Sequence, residues 1–176
     1  QPLSADDPTI GLHNFDAFTA SVLQLRPQST GEILLKSSNI RDYPAIHPNY
    51  LSDPVDQKTI VEGIRIARRI CRQSPISEMI KSEHAPGPEV KDEDYQNLLN
   101  WARETSTTIY HPTGTCKMGQ DAMAVVDHKL NVRGIKNLRV VDCSIMPQII
   151  SGNTNGPAIM IGEKAADMII KNEKLP

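Results

Sequence analysis

The clearest regularity in the chain is a helical period of apolar residues between positions 54 and 72. The apolar positions are Ile60, Ile64, Ala67 and Cys71, flanked by Val61 and Ile70. Their spacing matches the period of about 3.6 residues that places side chains on one helix face. Asp53 is a good N-cap, and Pro54 fits the first helical position because its missing N–H costs no bond there. The pattern predicts a helix over residues 54 to about 72.

Two further segments show the same period. Residues 92 to about 103 begin with an acidic turn, which suits the positive end of a helix dipole. Residues 157 to about 171 are predicted to form the last helix of the chain. The apolar faces consist of Tyr95, Leu98, Leu99 and Ala102 in the first segment, and of Ile161, Ala165, Met168 and Ile169 in the second.

Short runs of branched apolar residues predict strands. Residues 21–26 and 31–36 are separated by the turn-forming residues 27–30, which favours an antiparallel hairpin. Residues 44–47 are a candidate for one more short strand. Residues 138–141 form the continuous apolar run LRVV, which is typical of a strand buried on both faces.

Composition and charge narrow the classes of function. The 176 residues carry 19 Lys and Arg against 21 Asp and Glu, a net charge of -2, and no run of like charges concentrates an electric field on one face. A nucleic-acid partner is therefore not expected, because its phosphates would need a basic surface. No apolar stretch approaches the roughly 20 residues that a membrane-spanning helix needs.

The cysteines and the start of the chain add further limits. Cys71, Cys116 and Cys143 are odd in number and widely spaced, which favours neither a disulfide framework nor a zinc site and leaves the compartment open. The chain opens on Gln1 rather than Met, so we expect it to lie within a longer protein. Residues 1–16 lack a sustained period and are interpreted as a linker or surface loop.

Two polar, glycine-containing clusters stand out, at residues 110–119 and 152–157. The second precedes the last predicted helix, an arrangement that often binds ligands. Taken alone, His111 in the first cluster is more often a structural histidine than a catalytic one, and the Asn-rich second cluster is more often a helix cap. A nucleophile built from Cys116 and His111 would need an orienting group that the sequence does not indicate.

Five ordered segments change this balance. They are LRPQSTGEILL, HPNYLSDPVDQKTIVEGIRIARRI, TIYHPTGTCKMG, NVRGIKNLRVVDCSIMP and GNTNGPAIMIGEKAADMI. Together they resemble the C-terminal half of the glucose–methanol–choline (GMC) family of flavin oxidoreductases, most closely its choline-dehydrogenase-like branch. The resemblance implies a mixed α/β (α+β) fold. Residues 17–120 would form part of an antiparallel-sheet substrate domain, and residues 121–176 would supply the last strand and helix of the FAD-binding domain.

The same resemblance implies FAD-dependent oxidation of an alcohol by hydride transfer to flavin N5. The active-site histidine of the family falls on His111, which would take the hydroxyl proton. A second position, His or Asn in the family, falls on Asn153. An amide orients the substrate oxygen but is no base, so His111 would carry the acid–base chemistry.

The implied cofactor-binding residues are Tyr110, Asp142, Cys143, Asn153, Thr154, Asn155 and Gly156. Backbone N–H groups of Asn155 and Gly156, with the positive end of the last helix, would stabilise negative charge on the reduced flavin. Asp142 and Cys143 would approach the phosphate and ribityl region of FAD. No GxGxxG fingerprint occurs in the chain, so a missing N-terminal half is the implied partner, besides a small-molecule alcohol.

Three interpretations therefore remain from the sequence. The first is an alcohol dehydrogenase or oxidase to which this chain contributes only the C-terminal part. Without the rest of that protein, the chain would bind FAD weakly and lack activity. The second is a hydroxynitrile lyase of the same family, in which His111 would deprotonate a cyanohydrin. The third is a fragment that keeps the fold but binds no flavin and catalyses no reaction.

Overall fold

The computed structural model describes residue 5 and residues 11–173, without the side chains of residues 172 and 173. This part of the chain contains three α-helices and one sheet of two short strands. The elements are β1 (Glu32–Leu34), β2 (Ala45–His47), α1 (Pro54–Cys71), α2 (Tyr95–Thr105) and α3 (Asn155–Glu173). They are divided between two compact units. The helical unit contains the described residues up to Gly31 together with Pro48–Thr107, and the site unit contains Glu32–His47 and the chain from Thr108 onward.

Helix α1 begins and ends where its sequence predicts. The Asp53 side chain accepts a hydrogen bond of 2.7 Å from the backbone N–H of Val55, and Pro54 opens the helix. One face of α1 packs against α2 and forms the core of the helical unit. The buried residues of this core are Ile60, Val61, Ile64, Leu98, Leu99 and Ala102. Burial of these aliphatic side chains supplies the main favourable free energy of the unit.

Helix α2 begins later than predicted, at Tyr95 rather than at residue 92. The Asp94 side chain accepts from the N–H of Asn97 at 3.1 Å and so caps the helix. The acidic residues therefore precede the helix instead of forming its first turn. Tyr95, predicted to be buried, is 36% exposed.

The predicted hairpin between residues 21–26 and 31–36 is wrong. Strand β1 pairs instead with β2 in antiparallel register, with Ile33 opposite Ile46, which confirms the candidate strand near residues 44–47. Residues 21–26 have no regular structure. Gln24 donates a side-chain hydrogen bond of 3.2 Å to the Thr59 hydroxyl on α1, so this segment lies along a helix rather than beside a strand.

The predicted buried strand at residues 138–141 is also wrong. Backbone pairing there is limited to an isolated bridge between Arg139 and Asn131, and Leu138 and Val141 are 46% and 38% exposed. The core of the site unit is built instead around α3, by Val126, Leu130, Ile145, Ile161 and Ala165. The last helix is confirmed and begins two residues earlier than predicted, with Pro157 inside its first turn, where a missing N–H is tolerated.

Two buried charged side chains organise the helical unit. Asp56 accepts hydrogen bonds from the N–H of Gln28 and from both the N–H and the hydroxyl of Ser29, at 2.6 to 3.0 Å. Arg68 is 7% exposed and forms ion pairs with Glu83 and Asp92 at 2.8 and 2.9 Å. The helical period by itself favours a solvated face for Arg65, Arg68, Arg69 and Arg72, and for Arg68 this expectation is wrong. The ion pairs of the charged Arg68 guanidinium with Glu83 and Asp92 hold the loop after α1 against the helix.

The observed architecture confirms the predicted fold class, helices combined with a small antiparallel sheet. The proposed functional boundary at residue 120 stays a prediction. Of the linker predicted over residues 1–16, positions 1–4 and 6–10 lie outside the described residues, and residues 11–16 have no regular structure. Within the described part of the chain, none of the helices combines the length and apolar character that crossing a bilayer requires.

Candidate active site

His111 lies in the site unit, on an irregular segment whose backbone is held on both sides. Tyr110 before it has φ 61°, in the left-handed region, and the Tyr110 N–H donates to the Thr108 hydroxyl at 3.0 Å. Pro112 after it disfavours the helical conformation for His111. The Tyr110 side chain is 76% exposed, whereas the His111 side chain is half-buried.

Asn153 and Thr154 immediately precede helix α3. The carbonyl of Thr154 accepts the backbone hydrogen bond of Ala158 at 2.9 Å, so Thr154 stands at the start of the helix. Thr154 is buried at 8% exposure, while Asn153 is exposed. Two adjacent polar side chains thus lie at the start of α3, the buried Thr154 and the exposed Asn153.

The fold brings both of these side chains to His111, across more than 40 residues of sequence. The Asn153 Oδ1 atom lies 3.2 Å from His111 Nε2. The Thr154 Oγ1 atom lies 2.8 Å from His111 Nδ1. The pairing of His111 with Asn153 is the one that the sequence interpretation requires. Since Asn153 Oδ1 is directed to the imidazole, Asn153 does more than precede a helix.

The two contacts also assign a proton. A side-chain amide oxygen only accepts hydrogen bonds, so Nε2 of His111 carries the hydrogen that is donated to Asn153. In the neutral ring Nδ1 is then an acceptor for the Thr154 hydroxyl, and in the doubly protonated ring Nδ1 donates to that oxygen. Both ring nitrogens have polar partners, one buried and one open to solvent.

The contact between Thr154 and His111 was missed by the sequence interpretation, which gave Thr154 only a role in cofactor binding. The only available signal was its position next to Asn153. A hydroxyl beside an amide at a helix start is typical of capping residues and does not by itself indicate a partner in another segment.

Other predicted residues lie in the same unit with different partners. The Asp142 carboxylate accepts from the N–H of Ser144 at 2.7 Å and caps a short 3₁₀ turn, Cys143–Ile145. The Cys143 thiol donates to the carbonyl of Thr154 at 3.8 Å, which ties this turn to the start of α3. The structure therefore connects Cys143 to the helix start and leaves Asp142 in a local capping contact.

The backbone around the helix start has room for a ligand. A Cβ atom built at Gly152 or Gly156 would meet no described atom within 4 Å. The N–H groups of Asn155 and Gly156 fall in the first turn of α3, where helical N–H groups have no partner within the helix. Exposed donors at a positive helix end suit an electron-rich ring edge or an anionic group. Among the described residues, no three His, Cys, Asp or Glu side chains converge as a metal site.

Comparison with known proteins decides the family. A family model described as GMC oxidoreductase matches residues 27–162. The chain belongs to the GMC oxidoreductase family. The resemblance drawn from the five sequence segments is confirmed, including its choline-dehydrogenase-like character.

Curated GMC relatives point the same way. The chain is 49% identical over 154 residues to an alcohol dehydrogenase [acceptor] of Pseudomonas putida, which covers 88% of this chain and 28% of that protein. It is 44% identical over 159 residues to an oxygen-dependent choline dehydrogenase of Escherichia coli, which covers 90% of this chain and 28% of that protein. The chain thus spans 28% of the length of these two relatives.

Solved GMC structures share the fold. A formate oxidase variant from Aspergillus oryzae RIB40, studied for FAD modification, superposes with a TM-score of 0.78 at 33% sequence identity. The match covers 85% of this chain and 26% of that protein. The fold of this chain is therefore that of part of a GMC oxidoreductase.

Proposed function

We propose that the complete protein containing this chain oxidises a primary or secondary alcohol and uses FAD as the electron acceptor. The observation that carries this proposal is the imidazole of His111, held at Nδ1 by buried Thr154 and in contact at Nε2 with accessible Asn153. The similarity to an alcohol dehydrogenase and to a choline dehydrogenase supports the substrate class.

Alcohol oxidation by hydride transfer needs a base. An alkoxide expels hydride from its carbon far more readily than an alcohol does, so the hydroxyl proton has to leave before or during the transfer. Imidazole exchanges protons near neutral pH. In our proposal the reactive tautomer of His111 carries its hydrogen on Nδ1, where it is donated to Thr154, and the free Nε2 takes the hydroxyl proton.

Asn153 would orient the substrate oxygen. In the described arrangement its Oδ1 accepts from Nε2 of His111. When an alcohol binds, a rotation of the Asn153 amide would place its N–H₂ group toward the oxygen. The hydrogen on Nε2 passes to solvent and Nδ1 takes one from solvent, which leaves Nε2 free to accept the alcohol proton. The N–H₂ group then donates to the developing alkoxide and stabilises its negative charge.

The start of α3 is the part of this chain that would hold the flavin. When bound, FAD supplies the acceptor for the hydride. The backbone at Gly152 and Gly156 is open, which would let a ligand approach closely, and the N–H groups of Asn155 and Gly156 would stabilise negative charge. Tyr110, Asp142 and Cys143 are proposed to line the remaining cofactor-facing surface of this chain.

The chain contains no GxGxxG fingerprint. We propose that the fingerprint, and with it most of the pyrophosphate contact, is supplied by the larger part of the protein, since the chain spans 28% of its relatives. Substrate selection would be shared with that part.

Replacement of His111 tests the proposal in the complete, FAD-loaded protein. His111→Ala should lower the rate of flavin reduction by roughly 10²- to 10⁴-fold, the usual effect of losing a general base. Flavin absorbance should be retained, because the proposed cofactor contacts are mainly backbone groups. Part of the rate should return at high pH, where hydroxide replaces the base. A reduction rate equal to that of the unmodified protein at neutral pH would refute the proposal.

His128→Ala is a matched control, since His128 is an exposed histidine of the same unit. Its flavin reduction should be unchanged. Anaerobic addition of an alcohol also separates the three sequence interpretations. Bleaching of the flavin indicates an oxidoreductase, a flavin that stays oxidised while cyanohydrin is cleaved indicates a lyase, and a purified protein without flavin absorbance indicates a flavin-free protein.

A further inference from the structure

We propose that Thr154 is a positioning residue that keeps His111 ready to act as a base, by serving as a hydrogen-bond partner of Nδ1 in every protonation state of the ring. The inference rests on the proposed function, because it concerns how His111 performs the proton transfer. Thr154 itself acts through His111 rather than on the substrate.

The geometry makes Thr154 the fixed partner of the ring. Its hydroxyl lies 2.8 Å from Nδ1, against 3.2 Å between Nε2 and Asn153. Its carbonyl is engaged twice, by the N–H of Ala158 at 2.9 Å and by the thiol of Cys143 at 3.8 Å. A buried, β-branched side chain on such an anchored backbone has little rotamer freedom. The hydroxyl therefore defines the orientation of the imidazole plane.

A hydroxyl is also the right chemical group for a ring that changes protonation state. When Nε2 alone carries the hydrogen, an arrangement that fits both contacts of the ring, the Thr154 hydroxyl donates to Nδ1. A base that accepts at Nε2 needs the opposite tautomer, with the hydrogen on Nδ1, and the hydroxyl oxygen then accepts it. After proton transfer the ring is doubly protonated, and Nδ1 still donates to the same oxygen. The hydroxyl only has to rotate, while the ring stays in place.

Other side chains at position 154 would not serve as a partner of Nδ1 in every protonation state of the ring. A carboxylate would only accept and would favour the charged ring before the substrate arrives. An apolar side chain would leave Nδ1 without a partner in a half-buried place, which costs free energy and releases the ring orientation. The ring first changes tautomer through solvent, since Nε2 releases a hydrogen and Nδ1 gains one. The alcohol proton then moves to Nε2, and the Nδ1 hydrogen stays in its bond with Thr154.

Removal of the hydroxyl tests the inference in the complete, FAD-loaded protein. Thr154→Val keeps the shape of the side chain and removes its hydrogen-bonding group. We expect flavin reduction to slow by about 10- to 100-fold, the range found when the outer partner of a functional imidazole is removed. Thr154→Ser keeps the hydroxyl and should recover most of the rate. Thr154→Ala and Thr154→Ser differ only in the hydroxyl, so this pair gives the same comparison if valine disturbs the start of α3.

A double replacement separates positioning from a simple structural role. If Thr154 acts through His111, then Thr154→Val should cause no further loss of rate once His111→Ala is present. A loss of the same size in both backgrounds would overturn the inference, and so would an unchanged rate in Thr154→Val alone. An unchanged rate in His111→Ala would instead refute the proposed function itself, so the two failures are distinguishable.

A spectroscopic measurement does not depend on activity. In protein labelled with ¹⁵N-histidine, the resonances of His111 are those that disappear in His111→Ala. Thr154→Val should move the Nδ1 resonance, and Thr154→Ser should leave it near its original position. An Nδ1 resonance that stays in place in Thr154→Val would show that the hydroxyl does not set the state of the ring.

Discussion

Buried polar groups are used differently in the two units of the chain. In the helical unit, Asp56 and Arg68 are charged, nearly inaccessible and surrounded by partners of opposite or complementary character. In the site unit, the polar cluster of His111, Asn153 and Thr154 contains no carboxylate or guanidinium, and Asn153 is open to solvent. The first group consists of charged side chains held by ion pairs and hydrogen bonds, whereas the second is an imidazole held by an amide and a hydroxyl.

The pKa values of two carboxyl groups in the helical unit are lowered by their partners. Burial opposes ionisation of Asp56, but hydrogen bonds from Ser29 and from the N–H of Gln28 outweigh it and lower the pKa of the carboxyl. Hydrogen bonds from Arg72 and then Arg68 lower the pKa of Asp92. Both carboxylates are fixed in their charged form near neutral pH. A carboxylate fixed in this way stabilises the fold and is not suited to exchange protons near neutral pH.

The largest effect is expected from replacing Arg68, which removes the buried ion pairs of the helical unit. Arg68→Met should destabilise α1 by about 3 kcal/mol, near the lower end of the range for removing one partner of a buried ion pair, because Glu83 and Asp92 are partly exposed. Amide hydrogen exchange in α1 measures this loss. Arg69→Met is the control, since Arg69 is exposed on the same helix. Equal exchange in the two variants would mean that the buried ion pairs do not fasten the unit.

The next effect is expected from a negative charge introduced at Asn153, in the site unit. Asn153→Asp should slow flavin reduction in the complete protein by about 10²-fold, because a carboxylate repels the developing alkoxide and lacks the donor of an amide. Stopped-flow absorbance measures this rate. Asp is as good a helix-capping residue as Asn, so thermal unfolding should not change. A normal reduction rate would leave Asn153 with a structural role only.

The smallest expected effect comes from neutralising Asp56. Asp56→Asn should destabilise α1 by about 2 kcal/mol at neutral pH, because the donors of Ser29 and Gln28 lose a charged acceptor. The folded-state pKa of Asp56 lies below its ordinary value of 3.8, so its contribution is present above that pH and is lost as the pH falls below it.

The hydrogen-exchange difference between wild type and Asp56→Asn should therefore shrink below pH 3.8. Glu62→Gln serves as the control, because Glu62 is exposed on α1 and forms only a surface pair with Arg65. A difference that stays constant on acidification would contradict the role of the ionised carboxylate.

Local signals predicted the helices well. Asp53 and Pro54 mark the start of α1 within the sequence itself, and the apolar period of α1 and α3 is a property of consecutive residues. The position of α2 was less accurate because three acidic residues in a row offer several caps, of which the structure uses Asp94. Helix existence is thus local information, and the exact cap is settled by packing.

Strand pairing and the site depend on distant residues, which explains the errors. Residues 21–26 have the composition of a strand, but Gln24 finds its partner on α1 instead. The run at residues 138–141 stays irregular because its neighbours pair with it at only one bridge. The encounter of His111 with Asn153 was expected only from family resemblance, and the contact with Thr154 required the fold itself.

The backbone on either side of His111 determines when the conformational entropy of this residue is lost. Tyr110 adopts a left-handed conformation that non-glycine residues occupy at a cost of roughly 1–2 kcal/mol, and Pro112 removes further freedom from His111. For the base that we propose, the entropy of alignment would therefore be lost once, when the chain folds, and not again in each catalytic cycle. A looser segment such as one with Tyr110→Gly would fold with less strain, yet would have to search for the reactive alignment at every turnover.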